Sequence, residues 1–444
     1  MPSTSNSSAS ASASWPTAFR ALVDKRRPLL LQGPMGWFFN DLAKVLTGRG
    51  QTVTKVHFNG GDRLFWRQDN ALSYQGRPDD LADWLRTLIR ERRIDAVVLF
   101  GQMRPIHCVA REVAKELGVG VFVLEEGYLR PNYVTIERRG VNALSRLPRS
   151  ASFYTQNNPD PVQPPAPTHQ NIWRTAVIAA AYGSASAVMR PWYPHVDHHR
   201  DMNPVRETAA WARGAWRHLR YSVTERGVQA RLCSPALSKR WYLVPLQVQG
   251  DSQVTHHSRY TCIEQFITEV LESFALHAPA EIGLVIKHHP MDRAYSDYRR
   301  HIHREAQRLN LGHRVVYLHD QHLPTLLDHT RGVITINSTV GLQALHHGAP
   351  VITLGEAVYS MPGLVHSGPL ASFWQEPGKV NQTLYQRFRH HLVAHTQLNA
   401  SFYASAPALQ GRPPSVHNPV RQTRRAELPS VELPSARIHD VADA

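Results

Sequence analysis

Cysteine is scarce in this chain of 444 residues, with three residues at 108, 233 and 262. That is too few, at unpaired spacings, for a disulfide framework or a Cys-based zinc site, and it suits a reducing compartment. Long apolar runs are also missing. No uninterrupted stretch approaches the ~20 residues that cross a bilayer, so 42% apolar and 19% charged residues read as a soluble globular protein. The opening "MPSTSNSSASASASW" has neither a basic leader nor an apolar core, which excludes a secretory signal; residues 1–26 read as an unstructured tail. GxGxxG is absent, which argues against a dinucleotide site, and no DxD motif offers a metal site. Lysine is under-used, at 7 of the 50 basic residues.

Positive charge is abundant. A net charge of +15 and a pI near 10.0 imply an anionic partner such as a phosphorylated substrate, a membrane surface or nucleic acid. Nucleic acid is the poorest fit, because no recognised module is present and aromatics do not alternate with basic residues as a stacking platform requires. The chain is long enough for two globular units.

Two blocks of alternating strand and helix patterns stand out. In the first, within residues 27–150, strands are predicted at 27–33, 52–58, 95–101 and 119–127, separated by amphipathic helices that end on glycine. The second, within 240–400, repeats the grammar with strands at 240–248, 282–290, 313–319, 331–337 and 349–355. Both read as Rossmann-like domains of an α/β fold whose strand ends face a shared cleft. Residues 151–239 join a Pro-rich linker to a helical insert in which Trp173, Trp192, Tyr193, Trp211 and Trp216 mix with arginines. This insert is either a structural brace on the cleft or an interfacial element, with Arg213, Arg217 and Arg220 meeting anionic headgroups. Residues 401–444 read as a second unstructured tail.

Six stretches place chemistry at predicted strand ends. In "VITINSTVGLQALHHGAPV", Asn337, Ser338 and Thr339 sit where a strand hands over to a helix. Their hydroxyls and amides either cap that helix or meet a phosphate, and Gly341 allows close approach. "VIKHHPMD" brings Lys287, His288, His289 and Pro290 to the same edge, where a cation and an imidazole would neutralise a departing phosphate. A metal fits worse, since adjacent histidines on a strand point to opposite faces. "PLQVQGDSQV" presents Asp251 in a Gly-Asp-Ser turn, as a cap or as a carboxylate nucleophile. "VLEEGYLRP" supplies Glu125 and Glu126, one of which faces the cleft, with Arg130 close enough to neutralise a carboxylate. "LLLQGPMG" and "FNGGDRLFW" contribute Gln32, Gly33, Asn59, Gly60 and Asp62 in glycine-containing loops on the acceptor side of the cleft.

Together with "HLPTLLDHTRG" and "GPLASFWQ", these ordered motifs resemble the KpsS-type capsular polysaccharide proteins, the Kdo transferases of Gram-negative capsule assembly, over roughly residues 28–400. The resemblance implies a GT-B-type β-Kdo transferase that takes CMP-Kdo as donor substrate and needs no cofactor or metal. It also implies a phosphatidylglycerol-type lipid acceptor, in full or lyso form. The protein would work in the cytoplasm, peripheral on the inner membrane, alongside other capsule-assembly proteins. On that pattern His289-Pro290 and Ser338-Thr339 would hold the CMP moiety, and Asp251 would be the nucleophile of a retaining double displacement. Glu125 or Glu126 would be the base toward the acceptor hydroxyl. Where such proteins read Asn-Asp-Ser, this chain has Gly250 before Asp251. The rival readings are a non-catalytic export or scaffold subunit and a GT-B enzyme with another nucleotide sugar.

Overall fold

The computed structural model describes residues 15–157, 162–195, 204–250, 254 and 257–410. Two sheet-based domains carry the chain, the first sheet mixed because Tyr133–Arg138 runs antiparallel to Gly120–Glu126, the second wholly parallel. In the first, β1 (Pro28–Leu30), β2 (Thr54–His57), β3 (Ala71–Ser73), β4 (Ala96–Phe100), β5 (Gly120–Glu126) and β6 (Tyr133–Arg138) join a seven-stranded sheet in the order β12-β6-β5-β4-β1-β2-β3. In the second, β7 (Trp241–Pro245), β8 (Gly283–Lys287), β9 (Val315–Leu318), β10 (Gly332–Thr335) and β11 (Val351–Thr353) form a wholly parallel sheet in the order β11-β10-β7-β8-β9. The remaining strand, β12 (Gln397–Asn399), is a late return to the first sheet.

The central strands are continuous apolar runs because helices cover both faces, and every residue of β4 and β7 is buried. The helices of the first half are α1 (Thr17–Val23), α2 (Phe38–Thr47), α3 (Gly60–Leu64), α4 (Leu81–Glu91), α5 (Pro105–Glu116) and α6 (Ala151–Gln156). The insert contributes α7 (Ile172–Val188), α8 (Pro204–Thr224) and α9 (Val228–Leu232). The second half adds α10 (Ile263–His277), α11 (Arg299–Arg308), α12 (Leu323–His329), α13 (Val340–His346), α14 (Leu370–Gln375) and α15 (Gln382–Thr396). In α10 the buried residues Ile263, Phe266, Ile267, Val270, Leu271 and Phe274 recur at three- and four-residue steps, the stripe a sheet-covering helix needs. Pro105 opens α5, where its missing N–H leaves no intrahelical bond unmade.

All nine predicted strands are present with shorter cores. The tails are corrected at their inner ends. Residues 17–23 form α1, and Trp15, Phe19 and Leu22 are buried against Leu398, Phe402 and Leu409 in one cluster. Each such side chain contributes about 1.5–3 kcal/mol on burial, which favours ordering these segments. The predicted boundary at 400 also moves, because β12 pairs antiparallel with β6, Leu398 opposite Val134, and returns the chain to the first domain. The remainder of both tails lies outside the described residues.

The insert straddles the two domains. Helix α7 starts at Asn171, whose side chain accepts from the amides of Trp173 and Arg174, and it packs on α3 of the first domain. Gly60 and Gly61 permit this contact: a Cβ on Gly60 would meet the Ala185 carbonyl oxygen at 2.1 Å, and one on Gly61 the Tyr182 ring at 2.6 Å. Helix α8 docks on the second domain. Arg213 Nε donates to the Ala294 carbonyl (2.6 Å), and Arg217 Nη1 to those of Arg293 (2.7 Å) and Ser296 (3.1 Å). Two of the three arginines expected at lipid headgroups therefore brace the segment that follows His289-Pro290.

Candidate functional site

In the second domain, β7, β8 and β10 end side by side, and their terminal loops are cross-linked by side chains. Gln247 and Asn337 form a reciprocal pair: Gln247 Nε2 donates to Asn337 Oδ1 (3.0 Å), and the Asn337 amide donates to Gln247 Oε1 (3.3 Å). Asn337 Nδ2 also donates to the His257 carbonyl (3.4 Å). Asn337 thus fixes the turn. Ser338 Oγ accepts from the Val340 amide (3.2 Å), while its carbonyl accepts from the buried Tyr359 hydroxyl (2.5 Å). Thr339 is the residue preceding α13, and its side chain does not cap the helix. A Cβ on Gly341 would stand 2.0 Å from Tyr359 Oη, so close approach there is obligatory.

At the end of β8 the two histidines part as alternation requires. His288 is fully buried, its Nδ1 paired with the Tyr317 hydroxyl (2.7 Å). Burial first, and then the His319 ring, depress its pKa to about 4. His289 is half-buried and opens the short turn Pro290–Asp292, with its Nδ1 accepting from the Met291 amide (3.2 Å). With that nitrogen accepting, the proton of the neutral ring sits on Nε2 as a donor. Burial, Arg130 and Lys287 together hold His289 neutral, at about 4. Arg130 belongs to the first domain, and its charge is one of the causes of that depression. Lys287 is buried and donates to the His319 carbonyl (2.9 Å), its pKa lowered by desolvation.

Asp251 lies outside the described residues. The chain leading to it is anchored nevertheless: the Gln249 amide donates to Asp292 Oδ2 (3.3 Å), and Ser296 Oγ donates to Gln249 Oε1 (2.5 Å). Asp292 is 1% exposed and also accepts from the Tyr298 hydroxyl (3.3 Å). The turn that precedes Asp251 is therefore tied to the turn that follows His289.

In the first domain the ends of β1, β2, β4 and β5 converge. Glu125 turns toward β4, with Oε2 3.8 Å from where a Gly101 Cβ would lie. Burial raises the pKa of Glu126 against the opposing charge of Arg130. Asn59 and Asp62 are committed to structure. Asn59 Oδ1 accepts from the Asp62 amide (2.9 Å) as the cap of α3, and Asn59 Nδ2 donates to the Tyr182 hydroxyl (2.9 Å). Asp62 accepts from that hydroxyl (3.0 Å) and from the Phe58 amide (3.0 Å). Gln32 is buried, with Oε1 accepting from Arg104 Nη1 (2.9 Å), and a Cβ on Gly33 would meet the Phe39 ring at 2.8 Å. Among the described residues no three His, Cys, Asp or Glu side chains form a group able to hold a metal ion.

Sequence reasoning missed several members of this layer. Gln247 and Asp292 lie inside strand-end motifs already singled out, and Arg104 follows the end of the predicted strand 95–101. Glu225 and His319 form a buried pair, Nδ1 to Oε1 2.5 Å, from segments 94 residues apart. Tyr221 of α8 stacks on the His319 ring at 3.6 Å. Lys55 is buried, donating to the carbonyls of Leu31 (2.8 Å) and Val56 (2.7 Å), and desolvation lowers its pKa to about 8.

Two Rossmann-like domains with polar strand ends turned toward each other define the GT-B-like class, with a helical brace across both halves. The chain belongs to the family described as "Capsule polysaccharide biosynthesis protein", which matches residues 95–403. It is 41% identical over 390 residues to the Capsule polysaccharide export protein KpsS of Escherichia coli, covering 87% of this chain and 99% of that protein. It is 39% identical over 383 residues to the Capsule polysaccharide modification protein LipB of Neisseria meningitidis, covering 85% and 91%. Among solved structures, Thermosulfurimonas dismutans KpsC, beta Kdo 2,7 transferase, aligns with a TM-score of 0.40 at 16% identity, over 82% of this chain and 89% of that one.

Proposed function

We propose that this protein is a retaining glycosyltransferase that moves Kdo from CMP-Kdo onto the glycerol end of a phosphatidylglycerol-type lipid and so begins a β-linked Kdo linker for capsule. The observation that carries this reading is the convergence at one strand-end layer of a neutral imidazole donor on His289, the Ser338-Thr339 turn and the anchored approach to Asp251. Cleaving a sugar–phosphate bond builds positive charge on the sugar and negative charge on the departing CMP. His289 Nε2–H, the Ser338 and Thr339 groups and the Lys287 field would receive the negative charge. Asp251 would attack the anomeric carbon from the opposite face, and a carboxylate at 125 or 126 would take the acceptor hydroxyl proton as the covalent glycosyl–aspartate is displaced.

A lipid acceptor requires a bilayer contact, and α7 offers one. No charged residue lies between Thr175 and Met189, an apolar character that normally marks a buried helix. Yet only its Tyr182 is buried, while Ile172, Trp173, Val177 and Val188 are 68–81% exposed. Trp173 and Arg174 at one end, with Arg190 and Trp192 just beyond the other, suit a headgroup layer. No helix among the described residues is long and apolar enough to cross a membrane, so the contact proposed is peripheral, on the inner membrane.

The test is mass spectrometry of a fluorescent lyso-phosphatidylglycerol after incubation with CMP-Kdo and the purified chain. One added Kdo, abolished in folded Asp251→Ala and His289→Ala variants, is expected. Wild-type turnover in both variants removes the site, and no transfer by the wild type would favour an export or scaffold subunit.

A further inference from the structure

At the end of β4 the chain turns through Gly101 (φ +74°) into α5, with Arg104 as the residue before its first turn. The guanidinium is fixed from three directions. Nη1 donates to Gln32 Oε1 (2.9 Å) and to the Gly33 carbonyl (3.4 Å), and the group lies 4.9 Å above the Phe100 ring. Among the described residues Nε and Nη2 have no hydrogen-bond partner, and no carboxylate lies within ion-pairing distance of the group. A half-buried arginine with three unused N–H groups is a costly arrangement unless an anion completes it. Lys55, buried in the same layer, donates only to backbone carbonyls and adds a second positive centre. Glycine at 101 leaves the space beside these groups open: a Cβ there would lie 3.7 Å from Arg104 Nε and 3.8 Å from Glu125 Oε2, so both side chains border one spot.

We infer that Arg104 is the recognition site for the phosphodiester of the acceptor, holding that anion while the terminal hydroxyl of the same headgroup reaches Glu125. This rests on the transferase reading above. In a glycerol-tipped phosphodiester the terminal oxygen and the phosphorus are five bonds apart, on the order of 6 Å when extended. A carboxylate and a guanidinium flanking one point match that span. The bidentate fork of arginine suits the two non-bridging oxygens, which a lysine would meet as a point charge. The assignment also selects Glu125, rather than Glu126 beside Arg130, as the group facing the acceptor.

The experiment compares two acceptors, lyso-phosphatidylglycerol and an uncharged monoacylglycerol that offers the same glycerol hydroxyl without phosphate, using wild type, Arg104→Gln and Arg104→Lys. Arg104→Gln is expected to raise KM for the phosphodiester acceptor by about 10-fold or more relative to the neutral one, with Arg104→Lys between. A variant that is merely misfolded would lose both acceptors in proportion, so the KM ratio isolates recognition. An unchanged ratio, or a rise in KM for CMP-Kdo with both acceptors, overturns the assignment and makes Arg104 a strut of the 32–33 turn or a donor contact. Wild-type protein that transfers to neither acceptor overturns the transferase reading, and this inference falls with it.

Discussion

Replacing Gly341 by alanine perturbs the Ser338-Thr339 turn without touching either hydroxyl. The added methyl would sit 2.0 Å from Tyr359 Oη and 2.5 Å from its Cζ, distances no pair of such atoms sustains. Tyr359 is 1% exposed and packs in the same cluster as Ala344, Leu345 and Met361, so its ring has nowhere to retreat without disturbing that core. Overpacking of this kind costs about 1–3 kcal/mol. Displacing the ring also breaks the Tyr359–Ser338 hydrogen bond, a further ~0.5–1.5 kcal/mol. Gly341→Ala is therefore expected to lose ~2–4 kcal/mol in urea unfolding and, on the proposed function, to raise KM for CMP-Kdo, because the turn proposed to meet the phosphate shifts. Tyr359→Leu should lower stability alone yet restore part of the loss in the double variant, a coupling that a double-mutant cycle reads directly. Gly341→Ala with wild-type stability would refute the steric argument. Lost stability with unchanged KM for donor would show that the turn serves the fold and not the ligand.

Three further outcomes follow from the same geometry. Glu225→Gln removes the charge that His319 meets in a buried pair and should cost about 1–3 kcal/mol in urea unfolding; less than ~0.5 kcal/mol would mean that α8 is not held through this contact. His288, held near 4 in the folded chain against about 6.5 unfolded, contributes stability that is present above pH 6.5 and lost as pH falls through 6.5 toward 4. Near pH 5 that loss is about 2 kcal/mol. Glu137, raised by burial to about 7, works in the opposite direction, its contribution lost as pH rises through 7. The clean comparison is therefore between wild type and His288→Phe, which should lose less stability between pH 7 and 5; equal losses would contradict the burial argument. Trp173→Glu with Val177→Glu should cut sedimentation with phosphatidylglycerol vesicles several-fold while transfer to a detergent-dispersed acceptor persists. Undiminished sedimentation would return the outer face of α7 to another occupant.

The sheets were legible in the sequence because burial on both faces writes strands as uninterrupted apolar runs, and β4, β5, β7, β8 and β10 fall inside the predicted spans. The polar layer was legible in part for a related reason: at a strand end the chain must stop burying apolar groups, so residues such as Glu125, His289 and Ser338 announce themselves by breaking the run. The tails and β12 were not. Trp15, Phe19, Leu398 and Phe402 sit in segments whose composition resembles a linker, and only their meeting in one cluster makes each worth ordering.

The same distinction explains why the supporting residues escaped notice while the exposed chemistry did not. Gln247 holds Asn337 across 90 residues, Tyr182 holds Asp62 across 120 and Glu225 holds His319 across 94. No local pattern records a partner at that range. Arg104 is different, because its signal was local: a cation two residues beyond a strand-end Gly-Gln, with proline opening the helix behind it. It passed unremarked because an arginine in so basic a chain carries little information by itself. What marks it is its place: a guanidinium fixed at a strand end, beside Glu125, that meets no described carboxylate, whereas Arg293 has Asp320 and Arg308 has Glu272 and Glu305. In a chain of +15, a surplus of arginine is ordinary, and an arginine tethered in a cleft with donors left unused is the one whose missing anion has to come from the substrate.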